Sequence, residues 1–262
     1  MLFLLSPAKL LRTAPAPDGV TWSPPRYLSE AVRLAAVLRG YAPQDLARLM
    51  KISDALSAVN AARWEEWTAE PDSPHSRPAV FLFDGNVYRG LEAATLPQRA
   101  LAWAQEHLRI LSGLYGYLRP LDAIQPHRLE MGTRIRLPWG GDLVAHWRGR
   151  IVEALRDELP GHSVPVVVNL ASQEYFQAVD FHALDMTALG ARVVECVFQE
   201  GKGGTFRVVG VHAKRARGLM ARFAAMEEVT TPEGLQDFDS EGYRFDKKAS
   251  TADRFVFRRT GR

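Results

Sequence analysis

Residues 164–170 read VPVVVNL, an apolar run of strand length with no alternation, which suits a strand buried inside a sheet. The signature recurs. Short apolar runs bounded by Gly, Pro or Asp predict further strands at 2–5, 80–83, 110–114, 192–198, 206–212 and 254–258. Between them, apolar residues three and four apart predict helices over 28–38, 44–50, 54–67, 97–107, 147–159 and 213–225. That alternation predicts an α/β fold, a mixed sheet with surrounding helices. Two Pro- and Ser-rich stretches, TAPAPDGVTWSPP at 13–25 and EPDSPHSRP at 70–78, are predicted to be irregular. They bracket a purely helical lobe over 28–68, and with no sharp shift in composition the chain is expected to be a single domain over 1–262.

At 47% hydrophobic and 24% charged residues the chain has globular composition, which excludes global disorder. Cys196 is the only cysteine, so an intrachain disulfide and a Cys-built metal site are both excluded. Its setting, RVVECVFQE, reads as a buried thiol packed as a small hydrophobe. The start, MLFLLSPAKLL, is too short for a signal-peptide core, and no run approaches the ~18 apolar residues of a membrane span. A cytoplasmic protein with no membrane association is expected.

Chemistry-bearing residues gather beyond the predicted strand ends, where α/β folds place their sites. The first exit carries SPAK, with Lys9. The second, VFLFDGNVYRGL, places Asp84 in an Asp-Gly turn, where it would hold a lysine or a cation or simply shape the turn. The third, RILSGLYGYLRPLDAIQPHRLEMGT at 109–133, has Gly113 and Gly116 for close approach or positive φ, and Pro120 and Pro126 to stiffen the loop. Arg119, Asp122, Arg128 and Glu130 on that loop either grip phosphate or carboxylate or pair among themselves. The fourth, VPVVVNLASQEYF, supplies Asn169, Ser172 and Glu174, with Ser172 a candidate helix N-cap; an amide, a hydroxyl and a helix start suit an anion.

The net charge of +3 is modest, but the chain from 201 to 222 holds six basic residues and no acid. Lys202 falls in a predicted hairpin turn, and Lys214, Arg217 and Arg222 line one stripe of the following helix, which attracts nucleic acid or nucleotide phosphate. In the helical lobe, YAPQDLARLMKISDALSAVNAARW outlines two helices joined at 50–53. This is a helix-hairpin-helix shape that would offer backbone amides and Lys51 to DNA phosphates, with Lys51 and Ile52 where glycines are usual. Dinucleotide, P-loop, zincin and nucleophile-elbow motifs are missing, and the His residues show no ligand spacing, so no cofactor and no bound metal are expected.

Taken together, SPAK at 6–9, FDGNVYRGL at 83–91, ILSGLYGYLRPLDAIQPHRLEMGT at 110–133, NLASQEYF at 169–176 and AKRARGLMARF at 213–223 resemble the peroxide stress resistance protein YaaA family, the UPF0246-type bacterial proteins. The resemblance implies a cytosolic protein that limits free iron and so oxidative damage under hydrogen peroxide. It also implies a positively charged cleft, a helix-hairpin-helix element and binding to double-stranded or distorted DNA. His127 departs from the family's usual Tyr, replacing a pH-insensitive hydroxyl by a titratable ring.

Two readings follow. The first is a DNA-binding stress protein whose phosphate contacts are Lys9, Lys51, Arg119, Arg128, Asn169, Ser172, Lys202, Lys214, Arg217 and Arg222, with salt-dependent, weakly sequence-specific binding. The second is a nucleobase- or nucleotide-directed enzyme, glycosylase- or lyase-like, with Lys9 as nucleophile and Asp84 or Asp122 as acid or base. Direct iron binding would have to use Asp84, Asp122, Glu130, Glu174 and scattered His, which form no recognisable facial triad.

Overall fold

The computed structural model describes residues 1–181 and 190–260. Its strands are β1 (Leu2–Leu5), β2 (Arg77–Pro78), β3 (Leu108–Ser112), β4 (Gly116–Leu118), β5 (Ala123–Ile124), β6 (Val166–Leu170), β7 (Arg192–Lys202), β8 (Thr205–Arg207), β9 (Arg244–Phe245) and β10 (Arg254–Thr260). The helices are α1 (Leu28–Arg39), α2 (Pro43–Met50), α3 (Asp54–Glu66), α4 (Ala79–Leu82), α5 (Asn86–Leu91), α6 (Gln98–His107), α7 (Leu143–Glu158), α8 (Gln173–Phe176) and α9 (Gly210–Met226).

One mixed sheet runs β4-β3-β1-β6-β7-β10-β9, with β8 added to β7. Its middle, from β3 to β10, is parallel, and β4, β8 and β9 pair antiparallel on it. The parallel strands are buried along their length because helices cover them, and β1, β3 and β6 have no exposed position. Register then places the functional end of the molecule: Leu5 at the end of β1 pairs with both Ile110 and Leu170, so the exits of β1, β3 and β6 lie side by side.

The core is one contiguous cluster that reaches from the sheet into the helices. Helices α1 to α3 join it through Leu34, Leu38, Leu46 and Trp64. Arg39 closes this lobe by donating from Nε to the Trp64 carbonyl at 2.8 Å and from Nη2 to that of Trp67. Helix α9 crosses α5 at backbone contact. A Cβ on Gly218 would lie 1.8 Å from the Val87 carbonyl oxygen, and one on Gly90 would lie 2.3 Å from that of Arg215, so only glycine fits either position. In the third exit, a Cβ on Gly113 would lie 2.2 Å from the Leu129 oxygen, and Gly116 has φ +69°.

Two predicted strands are corrected. Residues 80–83 lie mostly in the helical turn α4, with the Ala79 and Val80 amides bonded to the Asp122 and Pro120 carbonyls at 2.9 Å. Every residue of the run is buried, so it carried no periodicity to separate a buried turn of helix from a strand. The run 206–212 is strand only to Arg207, and α9 begins at Gly210. Val208 and Val211 face solvent, so no core contact holds them in the sheet.

Candidate functional site

Ser6 leaves β1 buried, and its Oγ accepts the Ser172 N–H at 2.8 Å while donating to the Ser172 Oγ at 3.2 Å. Ser172 stands at the N-cap of α8 but makes no side-chain capping bond; its hydroxyl turns to the neighbouring strand exit instead. Above them, Tyr88 of α5 donates its hydroxyl to the Ser6 carbonyl at 3.0 Å, and burial pushes that phenol's pKa far up. Ser112, at the end of β3, accepts the Leu114 and Tyr115 amides at 3.3 and 3.1 Å, which leaves its hydroxyl proton free to donate. His127 has Nδ1 2.8 Å from the Gln125 carbonyl, so Nδ1 carries the proton and Nε2 is an acceptor. Burial pulls the His127 pKa down to about 4, which keeps the ring neutral.

These groups and Tyr175 enclose a cavity of 460 Å³, with apolar walls from Phe83, Val87 and Leu129. Its cations come from three directions: Lys9 from the first exit, Arg128 from the third-exit loop, and Lys214 and Arg217 from α9. Arg128 is engaged, with Nε 2.9 Å from Glu130 Oε1. Lys9 and Lys214 are exposed and have no ion pair among the described residues. Arg217 is partly buried, its Nε is inaccessible to solvent without a hydrogen-bond partner, and desolvation lowers its pKa. Glu195 opposes that shift through its charge but is itself 3.5 Å from Arg254 Nε.

A more open cleft of 530 Å³ adjoins the cavity, sharing Lys9, Glu130 and Glu174 and adding Lys51, Arg134 and Arg48. Lys51 sits in the left-handed region (φ 53°, ψ 54°) at the end of α2, and Ser53 caps α3 by accepting the Leu56 amide at 3.4 Å. Glu174 is held by the Gly132 N–H at 3.1 Å, and Arg48 pairs with Asp45.

The remaining predicted site residues lie elsewhere. Asp84 is 3.1 Å from Arg89 Nε and 3.6 Å from Arg12 Nη2; the Arg89 hydrogen bond, with both charges, holds its carboxyl below the usual range. Asp122, 1% exposed, accepts from the Ser23 hydroxyl at 2.7 Å and the Arg119 amide at 2.8 Å, and burial pushes its pKa up. The Arg119 side chain pairs with it at 3.5 Å. Asn169 is buried, its Oδ1 accepting the Ala171 amide at 2.9 Å to turn the fourth exit. Lys202 lies in a separate concavity with Phe206 and Arg207. Arg222 donates to the carbonyls of Leu91 and Glu92 and to Thr95 Oγ1, clamping α9 to the end of α5.

The structure thus brings together Lys9, Arg128, Ser172, Lys214 and Arg217, with Lys51 in the adjoining cleft. Sequence reasoning passed over Ser112, Tyr175 and Arg134. For two of them the signal was position, since Ser112 falls within the predicted strand 110–114 and ends the observed β3, and Tyr175 follows Ser172 by less than a helical turn. Cys196 is buried as expected, and burial raises its thiol pKa. Among the described residues, no three His, Cys, Asp or Glu side chains group closely enough to hold a metal ion, and no helix is long and apolar enough to cross a membrane.

A family model described as peroxide stress protein YaaA matches residues 1–249. A UPF0246 protein of Paracidovorax citrulli is 52% identical over 260 residues, 99% of this chain and 98% of its own length. UPF0246 proteins of Methylibium petroleiphilum and Bordetella pertussis are 52% and 51% identical, each alignment covering 99% of both chains.

Proposed function

The chain belongs to the peroxide stress protein YaaA family, and from that premise we propose that it acts in the cytoplasm by binding double-stranded or distorted DNA along the connected cavity and cleft. One observation carries this: Lys214, Arg217, Lys9 and Lys51 line those two concavities with no ion pair to any described residue. Two of the acids there are already engaged, Glu130 by Arg128 and Glu174 by the Gly132 amide. Unpaired cations along a groove release condensed counterions from a phosphate backbone, which is the dominant source of sequence-independent affinity. The α2–α3 hairpin supports a helix-hairpin-helix role, because it sets Lys51 beside the first turn of α3, where free amides and the helix dipole favour phosphate. Limiting iron-linked damage belongs to the same proposal and is carried by the family relationship.

The test is fluorescence anisotropy with a short duplex. Four phosphate contacts predict an affinity loss on the order of 100-fold between 50 and 200 mM salt. Affinity that does not change with salt would end the proposal.

Lys9 at the cavity favours a second reading, a glycosylase- or lyase-like enzyme with Lys9 as nucleophile. Borohydride should then trap the wild-type protein on a damaged-base duplex and fail to trap Lys9→Ala. Equal activity in Lys9→Ala would remove this reading.

A further inference from the structure

Gripping a DNA backbone needs only an open, cationic surface, yet the cavity beside the cleft is a distinct pocket with apolar walls and buried polar groups. Its volume, 460 Å³, falls within the range of about 300–1,000 Å³ typical of small-molecule sites. We propose that this cavity is a pocket for one nucleoside monophosphate unit, with the phosphate at Arg217 and Lys214 and the base between the apolar walls.

Three observations combine. Arg217 lines the cavity, partly buried and with no ion pair among the described residues, and a partly desolvated cation is costly unless an anion meets it. The walls carry the side chains of Phe83 and Tyr88, whose ring centroids are 5.3 Å apart, and aromatic faces of this kind stack on a nucleobase. His127 lines the same surface with Nε2 as acceptor, so the pocket presents a neutral acceptor to a heteroatom donor. An aliphatic anion would leave that acceptor unpaired, and a sugar phosphate would leave the apolar walls uncovered. A nucleotide answers the cations, the walls and the acceptor together.

The occupant has two sources: a nucleotide extruded from bound DNA, or a free mononucleotide. The inference deepens the DNA-binding reading and shares its cavity, but the two fail separately. Calorimetric titration of the full chain with the four deoxynucleoside 5′-monophosphates, inorganic phosphate and the parent nucleosides tests it. At least one nucleotide should bind tenfold or more tighter than both phosphate and its nucleoside. Arg217→Met, similar in length but uncharged, should weaken that binding at least tenfold, and Ala8→Phe, which fills the cavity, should abolish it. If Ala8→Phe does not fold, Arg217→Met decides.

Competition separates the sources. A duplex with one unpaired nucleotide that displaces the bound nucleotide tenfold better than a fully paired duplex identifies the extruded unit, and equal displacement identifies the free nucleotide. A wild-type protein that binds paired duplex with the expected salt dependence but prefers no nucleotide over phosphate overturns this inference and leaves DNA binding standing. Nucleotide binding without duplex binding does the reverse.

Discussion

Gly90 and Gly218 meet where α5 crosses α9, and a Cβ on Gly90 would lie 3.2 Å from the Gly218 carbonyl carbon. That contact sets the distance between the helix carrying Tyr88 and the helix carrying Lys214 and Arg217, so a packing detail fixes the width of the cavity.

Gly218→Ala puts a methyl group against the Val87 carbonyl, a backbone atom that cannot rotate away. It should cost about 3 kcal/mol, the upper end of ordinary overpacking, in chemical denaturation. Gly149→Ala is the contrast: it lies in α7 with nothing within 4 Å of the added Cβ, and should gain about 0.5–1 kcal/mol.

Lys51→Gln and Lys214→Gln should each reduce the slope of log affinity against log salt by about 1, with little dependence on DNA sequence. Arg222→Gln should leave that slope alone and instead destabilise the fold, because its guanidinium bonds the carbonyls of Leu91 and Glu92. Losing bonds to a charged donor predicts about 1.5–3 kcal/mol. Anisotropy and thermal melting separate the two effects.

Acid should destabilise the protein before its carboxylates titrate. Burial lowers the His127 pKa to about 4, so the unfolded chain, whose His titrates near 6.5, binds the extra proton between these values. Stability from this group is therefore full above about pH 6.5 and is lost as pH falls towards 4, about 3 kcal/mol in all. His146 and His162, also lowered to about 4 mainly by burial, add in the same direction. Denaturation midpoints between pH 7 and 4.5 should show the decline, and His127→Tyr should make it shallower by the share of His127, leaving that of His146 and His162.

Asp122→Asn replaces one of two carboxylate acceptors by an amide group that must face either the Ser23 hydroxyl or the Arg119 amide. The loss should be about 1–3 kcal/mol in stability, with duplex affinity at low salt unchanged. A large loss of affinity at unchanged stability would show that Asp122 serves the cleft directly.

Much of this arrangement could be read from the chain, and the failures have physical causes. The buried strands announced themselves because β1 and β6 are covered on both faces and so are apolar but for Asn169. The same full burial hid α4, where every position is apolar and the tethers come from backbone bonds to Pro120 and Asp122. Lys9, Lys214 and Arg217 were legible as cations at an exit and on a helix. The sequence left open whether Arg119 pairs locally with Asp122, three residues on, as it does; what it could not show is that Arg222 is turned to carbonyls of the α5 end, a pairing that depends on two distant helices meeting in space. His127 was visible as a departure, but its neutrality comes from enclosure by Trp64, Phe83 and Tyr115.

The position of β1 also bears on how the protein is made. Its neighbours are β3 and β6, and Leu5 pairs with Ile110 and with Leu170. Translation at roughly 5–20 residues per second leaves β1 without its second partner for on the order of 10–30 s. During that time its LFLL segment is an unpaired apolar strand, the kind of sequence that chaperones hold and that aggregates when they are scarce. Slower synthesis of the 160 residues between these two strands should therefore lower the soluble yield, whatever the stability of the finished fold.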